Sequence, residues 1–448
     1  MKISRFINIL AIILMSIIFL PSFHMNFSTK SLIGFNLLTL TNVMSCLAAL
    51  IAIKQPSVYI SKPMILVYIY FAVFTVYKLS GNFDNNNIWF WEYQSPVLVA
   101  TIIFTYYILS KDYKGFAMVI ATALVCIAIS STLNVIQLIR YPDAVRSQYI
   151  GSQGEVFRQL SLWYQKIGVA GYGFISGTSF LFPVIIGVFR NSTKGATKIG
   201  FIMLIAVMAI SVFLASITGP ILIAGMGLII AFIGRKRLRA SISILSFIIL
   251  LILIIPKVYI AQVFYYAADL VENQSVAMKF NDIGISIEEG VDVDTPTNSM
   301  EYRAERIPRN LERFANSPIW GNSPLKPGDE QTYHIFWLYY FAQFGIVGAL
   351  PLLLVILSNI RINLRVIDEK FEFYYLVSVA LFFFLGFIKG YVGVMMYYIL
   401  LVAPGAYYLN YIFSGKEVHD KQHQVASRVK IKSSIVASVT KAARVHSD

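Results

Sequence analysis

Arg303, Arg306, Arg309 and Arg313 fall within eleven residues of one another. At 100° per residue, these four positions lie within about 120° of one helical face. No lysine interrupts the set. Guanidinium meets a phosphate through a planar fork of two hydrogen bonds, whereas ammonium acts as a point charge. Such a face suits a phosphate or pyrophosphate. The alternative is a solvated amphipathic helix whose arginines pair with Glu301 and Glu305 along its length. Pro308 interrupts the segment and is expected to kink or restart the helix. His334 follows at the start of the apolar run Ile335-Phe336-Trp337. An imidazole that titrates near neutrality suits the removal of a proton from a sugar hydroxyl. Together these residues fit a transfer in which a phosphate leaves and a hydroxyl attacks.

Other constellations carry less. Asp292-Val293-Asp294 has the form D-x-D, but it lies in an acidic stretch with Glu288 and Glu289 and reads as a solvated surface segment. His419 and His423 are four apart with no third ligand placed to help. No metal site and no cofactor are expected. The chain has no phosphate-binding P-loop, no dinucleotide glycine fingerprint and no nucleophilic Ser or Cys elbow. Cys46 and Cys126 both fall in apolar runs and read as buried hydrophobes.

The elements that must position the arginines and the histidine are membrane helices. Of 448 residues, 57% are hydrophobic and 13% charged. A soluble domain has about 25% charged residues, and a soluble fold of this size cannot hide so much apolar surface. The expected fold is all-α, polytopic and membrane-integral. Twelve apolar stretches near the bilayer-crossing length are expected, at 5–24, 32–53, 63–80, 94–110, 115–139, 168–189, 199–216, 219–234, 240–262, 334–358, 372–389 and 391–413. Met1–Phe23 reads as an uncleaved first span. Residues 1–413 form the transmembrane domain, with an outer loop at 262–333. Residues 414–448 form a basic cytoplasmic tail that touches anionic lipid.

Loop charge orients the bundle. With the N-terminus in the cytoplasm, the cytoplasmic segments hold Lys54 and Lys62, Lys111 and Lys114, Arg190, Lys194 and Lys198, Arg235 to Arg239, and Arg361, Arg365 and Lys370. The short loops opposite hold one Lys or Arg each: Lys30, Lys78 and Lys389. This is the positive-inside pattern, with both termini inside. Two outer loops are long and carry clustered arginines, the second after an acidic first half with Asp282, Glu288, Glu289, Asp292 and Asp294. One holds Arg140, Arg146, Arg158 and Lys166, and the other holds the arginine cluster. Apart from His24, His334 is the only histidine in the outer loops.

The stretch Arg303 to Gly348 resembles the signature region of the O-antigen ligase and O-antigen polymerase superfamily. In that pattern an Arg opens a helix and a Pro-hydrophobic-x-Gly turn follows fifteen residues on. A His then begins a span, with Gly-hydrophobic-x-Gly eleven residues later. The matching residues are Arg303, Pro318-Ile319-Trp320-Gly321, His334 and Gly345-Ile346-Val347-Gly348. The sequence departs from the family at Ile335, where Asn is usual, and at Ile307, where Trp is common. Ser216-Ile217-Thr218-Gly219-Pro220 lacks the Arg found in the comparable family stretch.

The resemblance implies a membrane-embedded glycosyltransferase of the bacterial inner membrane, with its large loop in the periplasm. Its donor would be a polyprenyl-pyrophosphate-linked glycan and its acceptor a second glycan. A polymerase branch extends lipid-linked repeat units, with a chain-length regulator as a possible partner. A ligase branch moves the glycan onto lipid A-core. Arg303 and His334 would carry the chemistry. Arg306, Arg309, Arg313, Arg146 and Arg158 would hold substrate. No nucleic acid is expected as a partner. A transporter is the reading from another class, but its spans should carry ionisable or broken segments, and here Lys257 is the main exception.

Overall fold

A computed structural model describes residues 2–20, 40–79, 89–142, 144–145, 155–192, 194–235, 256–270, 274–288, 299–322, 335–390 and 393–413. At 2–4, 40–43, 78, 89–93, 155–158, 161–162, 274–276, 279, 286 and 299–304 the backbone alone is described. Every regular element among these residues is helical. In order they are α1 (Lys2–Phe19), α2 (Leu40–Ala52), α3 (Lys62–Leu79), α4 (Trp89–Ser110), α5 (Tyr113–Arg140), α6 (Glu155–Lys166), α7 (Tyr172–Asn191), α8 (Gly195–Leu214) and α9 (Thr218–Ile233). Then come α10 (Lys257–Asp269), α11 (Gln274–Glu288), α12 (Ser299–Asn316), α13 (Phe336–Val366), α14 (Glu369–Ile388) and a helical run over 395–413, here α15.

Among the described residues, five helices are long and apolar enough to cross a membrane: α5, α7, α8, α13 and α14. Shorter apolar helices cover Arg5–Phe19, Lys62–Tyr77, Gln94–Ser110 and Thr218–Ile233. Their outer faces are greasy: Ile199, Met203, Phe213, Ile229 and Phe232 all lie exposed. An apolar surface of this kind needs lipid around it, so this is an α-helical bundle built for a membrane. Of the expected ninth span, 240–262, residues 240–255 lie outside the described residues, and α10 begins at Lys257.

The core centres on α7 and α15. The apolar window of α7 is 89% buried, whereas that of α8 is 28% buried and faces outward. Tyr397 to Ala403 are wholly buried, and Tyr398–Val402 form a π-helical turn. Helix α7 packs on α8, α9 and α14; α1 packs on α5, and α3 on α13. Buried polar groups pin these contacts. Asn134 of α5 accepts from the amide of Ala170 at 2.9 Å and donates to Ser211 Oγ of α8 at 2.9 Å. Ser378 of α14 donates to the carbonyl of Phe180 in α7 at 2.7 Å. In hydrocarbon an unpaired polar group is costly, so such bonds fix register.

The two ends of the bundle are distinct. At one end Arg190 donates to the carbonyl of Phe232, which caps α9, and to Tyr374 Oη. Arg235 pairs with Glu369 there at 2.9 Å. The opposite ends of α7, α9 and α14 meet at Lys389, where α13 begins. Segments that the loop charges assign to one side therefore do lie together.

Two expectations need correction. Cys126 is buried, but Cys46 is exposed. Its position on α2 faces away from the packed core, which an apolar run cannot reveal. The stretch expected as one span at 334–358 contains a break. Gly345 has φ 59° and ψ −169°, which splits α13 into a short first part and a long second part.

Candidate functional site

The described parts of the segment 262–333 are helical. Helices α10 and α11 pack as a hairpin: Tyr265 Oη donates to Glu288 at 2.9 Å, and Phe264 meets Phe280. Helix α12 carries the four arginines and runs through Pro308 without stopping. The helix does not restart there. The ring removes one backbone donor, and Pro308 sits on the exposed side of the helix, away from any packing.

Helix α12 lies on α13. Asn310 is buried, and Phe314 meets Phe341 edge-on, with ring centroids 6.2 Å apart. Positions 303, 310 and 314 share one stripe at helical spacing, so Arg303 is rooted on the stripe that meets the bundle. Arg306, Arg309 and Arg313 form a separate flank. On that flank Arg309 pairs with Glu305 one turn back, and Arg309 is exposed. Here the helix-internal pairing holds in part, while Arg306 and Arg313 stay half-buried.

The two glycine motifs are 24 residues apart in sequence, yet the structure locks them together. The Pro318–Gly321 turn fits into the break in α13. The amide of Ile346 donates to the carbonyl of Pro318 at 2.9 Å, and the amide of Val347 to that of Ile319 at 3.1 Å. The amide of Asn322 donates to the carbonyl of Ala342 at 3.0 Å. The turn thus supplies the partners that a broken helix loses, which permits the break. The fit demands glycine at both touching positions. A Cβ on Gly345 would stand 2.3 Å from the carbonyl oxygen of Ile319, and one on Gly321 would stand 2.2 Å from that of Gln343. Both residues also have positive φ, 59° and 75°.

Tyr77, at the end of α3, closes the clasp. Its hydroxyl shares its proton between the carbonyls of Trp320 (2.8 Å) and Phe344 (2.6 Å). An aromatic wall continues inward, with Tyr70 Oη 3.2 Å from Tyr340 Oη and Phe336 stacked on Tyr340. In sequence Tyr77 is one of many aromatics at span ends, which any membrane belt provides.

His334 and Arg146 lie outside the described residues, as does the Asp292–Asp294 segment. Arg158 lies on α6 and Arg303 on α12 by backbone only. The chain re-enters at Ile335, which is buried, and the amide of Phe336 donates to the carbonyl of Lys389 at 3.4 Å. Lys389 also lies against Gly219, in the short loop that lacks the family arginine. In sequence it is only a lone loop charge. Among the described residues, no three His, Cys, Asp or Glu side chains gather to hold a metal.

No protein-family model matches the chain, and no curated protein matches it with significance.

Proposed function

We propose that the chain is a glycosyltransferase that polymerises polyprenyl-pyrophosphate-linked repeat units at the outer face of a bacterial inner membrane. In this reading about twelve spans carry the loop at 262–333 on the periplasmic side. The observation that carries it is the docking of the Pro318–Gly321 turn into the Gly345 break. Through this clasp the end of the arginine helix is fixed to the helix that His334 precedes. A loop held so firmly to a span can place a phosphate and an attacking hydroxyl relative to each other, the main requirement for a transfer between two large lipid-linked substrates.

Arg303, helped by Arg306 and Arg313, holds the pyrophosphate and stabilises the charge that develops as it leaves. The anomeric carbon loses its bond to the pyrophosphate oxygen and gains one to the acceptor oxygen. The acceptor proton passes to His334. Proton removal by a single base, without a carboxylate pair, favours direct displacement with inversion.

The test is complementation of a strain lacking this protein, with surface glycan ladders read on a gel and membrane protein level controlled. Wild type restores a ladder, while His334→Ala and Arg303→Ala each stop at single repeats. Long lipid-linked glycan that never reaches core lipid would point instead to the ligase branch. Variants that behave like wild type would remove both residues from the chemistry.

A further inference from the structure

Helices α5 and α8 are tied together at one level and stand apart at another. Asn134 of α5 donates to Ser211 of α8 at 2.9 Å. Nearer the starts of both helices, residues 121–128 of α5 and 197–204 of α8 line a groove of about 270 Å³. Small residues make the recess: Ala121 and Ala128 on α5, and Gly200 on α8, where a Cβ would meet nothing within 4 Å. The end of α15 closes the groove, with the Phe413 ring 5.9 Å from that of Phe201. Among the lining residues Thr197 alone carries a polar side chain.

The groove runs toward two cations. Lys114 precedes Ala121 by seven residues and so stands on the groove stripe of α5. Lys194 caps α8 seven residues before Phe201. In the register set by the Asn134–Ser211 bond, Lys114 is level with Asn191, three residues short of Lys194. The two cations therefore lie at nearly the same depth, and both are exposed. The first turn of α8 leaves room beside them: a Cβ on Gly195 would meet nothing within 4 Å. Lys198, one turn on, adds a third cation, its Nζ 6.0 Å from the centre of the Phe189 ring. Asp112, the carboxylate nearest to Lys114 in sequence, accepts from the Gly115 amide at 2.9 Å and from Asn8 Nδ2 at 3.3 Å.

Hydrocarbon below and cations above fit an amphiphile with a negative head. We infer that the groove holds an acyl chain of one anionic phospholipid, with its phosphate at Lys114 and Lys194. A zwitterionic lipid would leave the lysines unneutralised, whereas each lysine near an anionic headgroup adds to binding. A polyprenyl donor does not fit, because its pyrophosphate belongs with α12 at the other end of the bundle. The bound chain has a structural task. Only 28% of the apolar window of α8 is buried, the least of the five long spans. A lipid in the groove would join α8 to α5 and α15 along the half that Asn134 does not reach. The inference does not rest on the polymerase reading.

The test uses the purified full-length protein, stripped of lipid in neutral detergent. Phosphatidylglycerol and phosphatidylcholine with the same chains are the probes, read by native mass spectrometry and thermal melting. Wild type should retain one phosphatidylglycerol, which should raise the melting temperature more than phosphatidylcholine does. Lys114→Gln and Lys194→Gln should each weaken phosphatidylglycerol about fivefold, and together about thirtyfold, with phosphatidylcholine unchanged. Both positions are exposed, so these variants keep the fold. Gly200→Leu fills the groove and should lose the retained lipid. Equal retention of the two lipids by wild type overturns an anionic ligand. Full preference for phosphatidylglycerol in the double Gln variant removes the headgroup from the lysines. Retention in Gly200→Leu removes the chain from the groove. A lipid-free wild-type dimer that Gly200→Leu splits makes the groove a seat for a second copy instead. The glycan ladder is read separately, so failure of the polymerase reading leaves each of these outcomes intact.

Discussion

At the scale of single residues, Gly345 has the sharpest consequence. Its φ and ψ lie in a region that is essentially glycine-only, and its missing Cβ is where the carbonyl of Ile319 approaches. Gly345→Ala should therefore lower stability by about 1–3 kcal/mol from backbone strain alone, with the clash added. The control is Gly200→Ala on α8, where a Cβ would meet nothing within 4 Å. That change should leave the melting temperature in detergent level or slightly raised, since alanine is favoured over glycine in a helix by about 1 kcal/mol. If the two variants melt alike, the clasp does not hold the fold. Tyr77→Phe removes one hydroxyl from two carbonyls and should cost about 1 kcal/mol, the usual worth of a hydrogen bond.

At the scale of elements, α12 is the unit to test. The Arg309–Glu305 pair is half exposed, so Glu305→Gln should change stability by less than about 1 kcal/mol. Arg309 and Arg303 stand about 120° apart around α12, at opposite edges of the arginine face. Arg309→Ala should then shorten the glycan ladder far less than Arg303→Ala does, as gels of the two complemented strains will report. Docking of α12 depends on Phe314 against Phe341. Phe314→Ala should let the loop open, with limited proteolysis within 299–316 about tenfold faster, as expected for a loss of about 1.4 kcal/mol in local stability. Equal cleavage rates would mean that the turn alone holds α12. Pro308 carries a separate lesson. A proline in a helix was expected to kink or restart it, yet Ser299–Asn316 is one helix with Pro308 exposed within it.

At the scale of the molecule, the contacts sort the helix ends into two sets, one around Arg190 and Glu369 and the other around Lys389 and Tyr77. The charge pattern predicts a cytoplasmic position for the first set. In a Cys46→Ser background, Ser317→Cys should react with an impermeant maleimide on intact spheroplasts. Lys194→Cys should react only after permeabilisation. The reverse pattern would invert the bundle and put the arginine helix on the wrong face for a periplasmic transfer. The buried Cys126 should remain silent in both cases.

Much of this architecture is legible without coordinates. Apolar runs and loop lysines mark most helices to within a few residues, because hydrocarbon accepts backbone only as satisfied helix and leaves little freedom in where a span begins and ends. The paired glycine motifs are also visible, as residues at set spacing. Their purpose is not: neither Gly321 nor Gly345 announces that each occupies the space the other's chain requires. That becomes evident only when the turn and the broken helix are in contact. The break in α13 escapes the sequence for the same reason, since an apolar run reads as continuous whether or not a neighbour supplies its missing hydrogen bonds. Lys389 is the clearest case. Composition and topology see one cation in a short loop; only packing brings the starts of α7, α9 and α13 to the end of α14 there. Sequence determines which segments enter the membrane because that choice depends on each segment's own transfer energy. Tertiary structure decides the site because its parts meet only when segments distant in sequence pack.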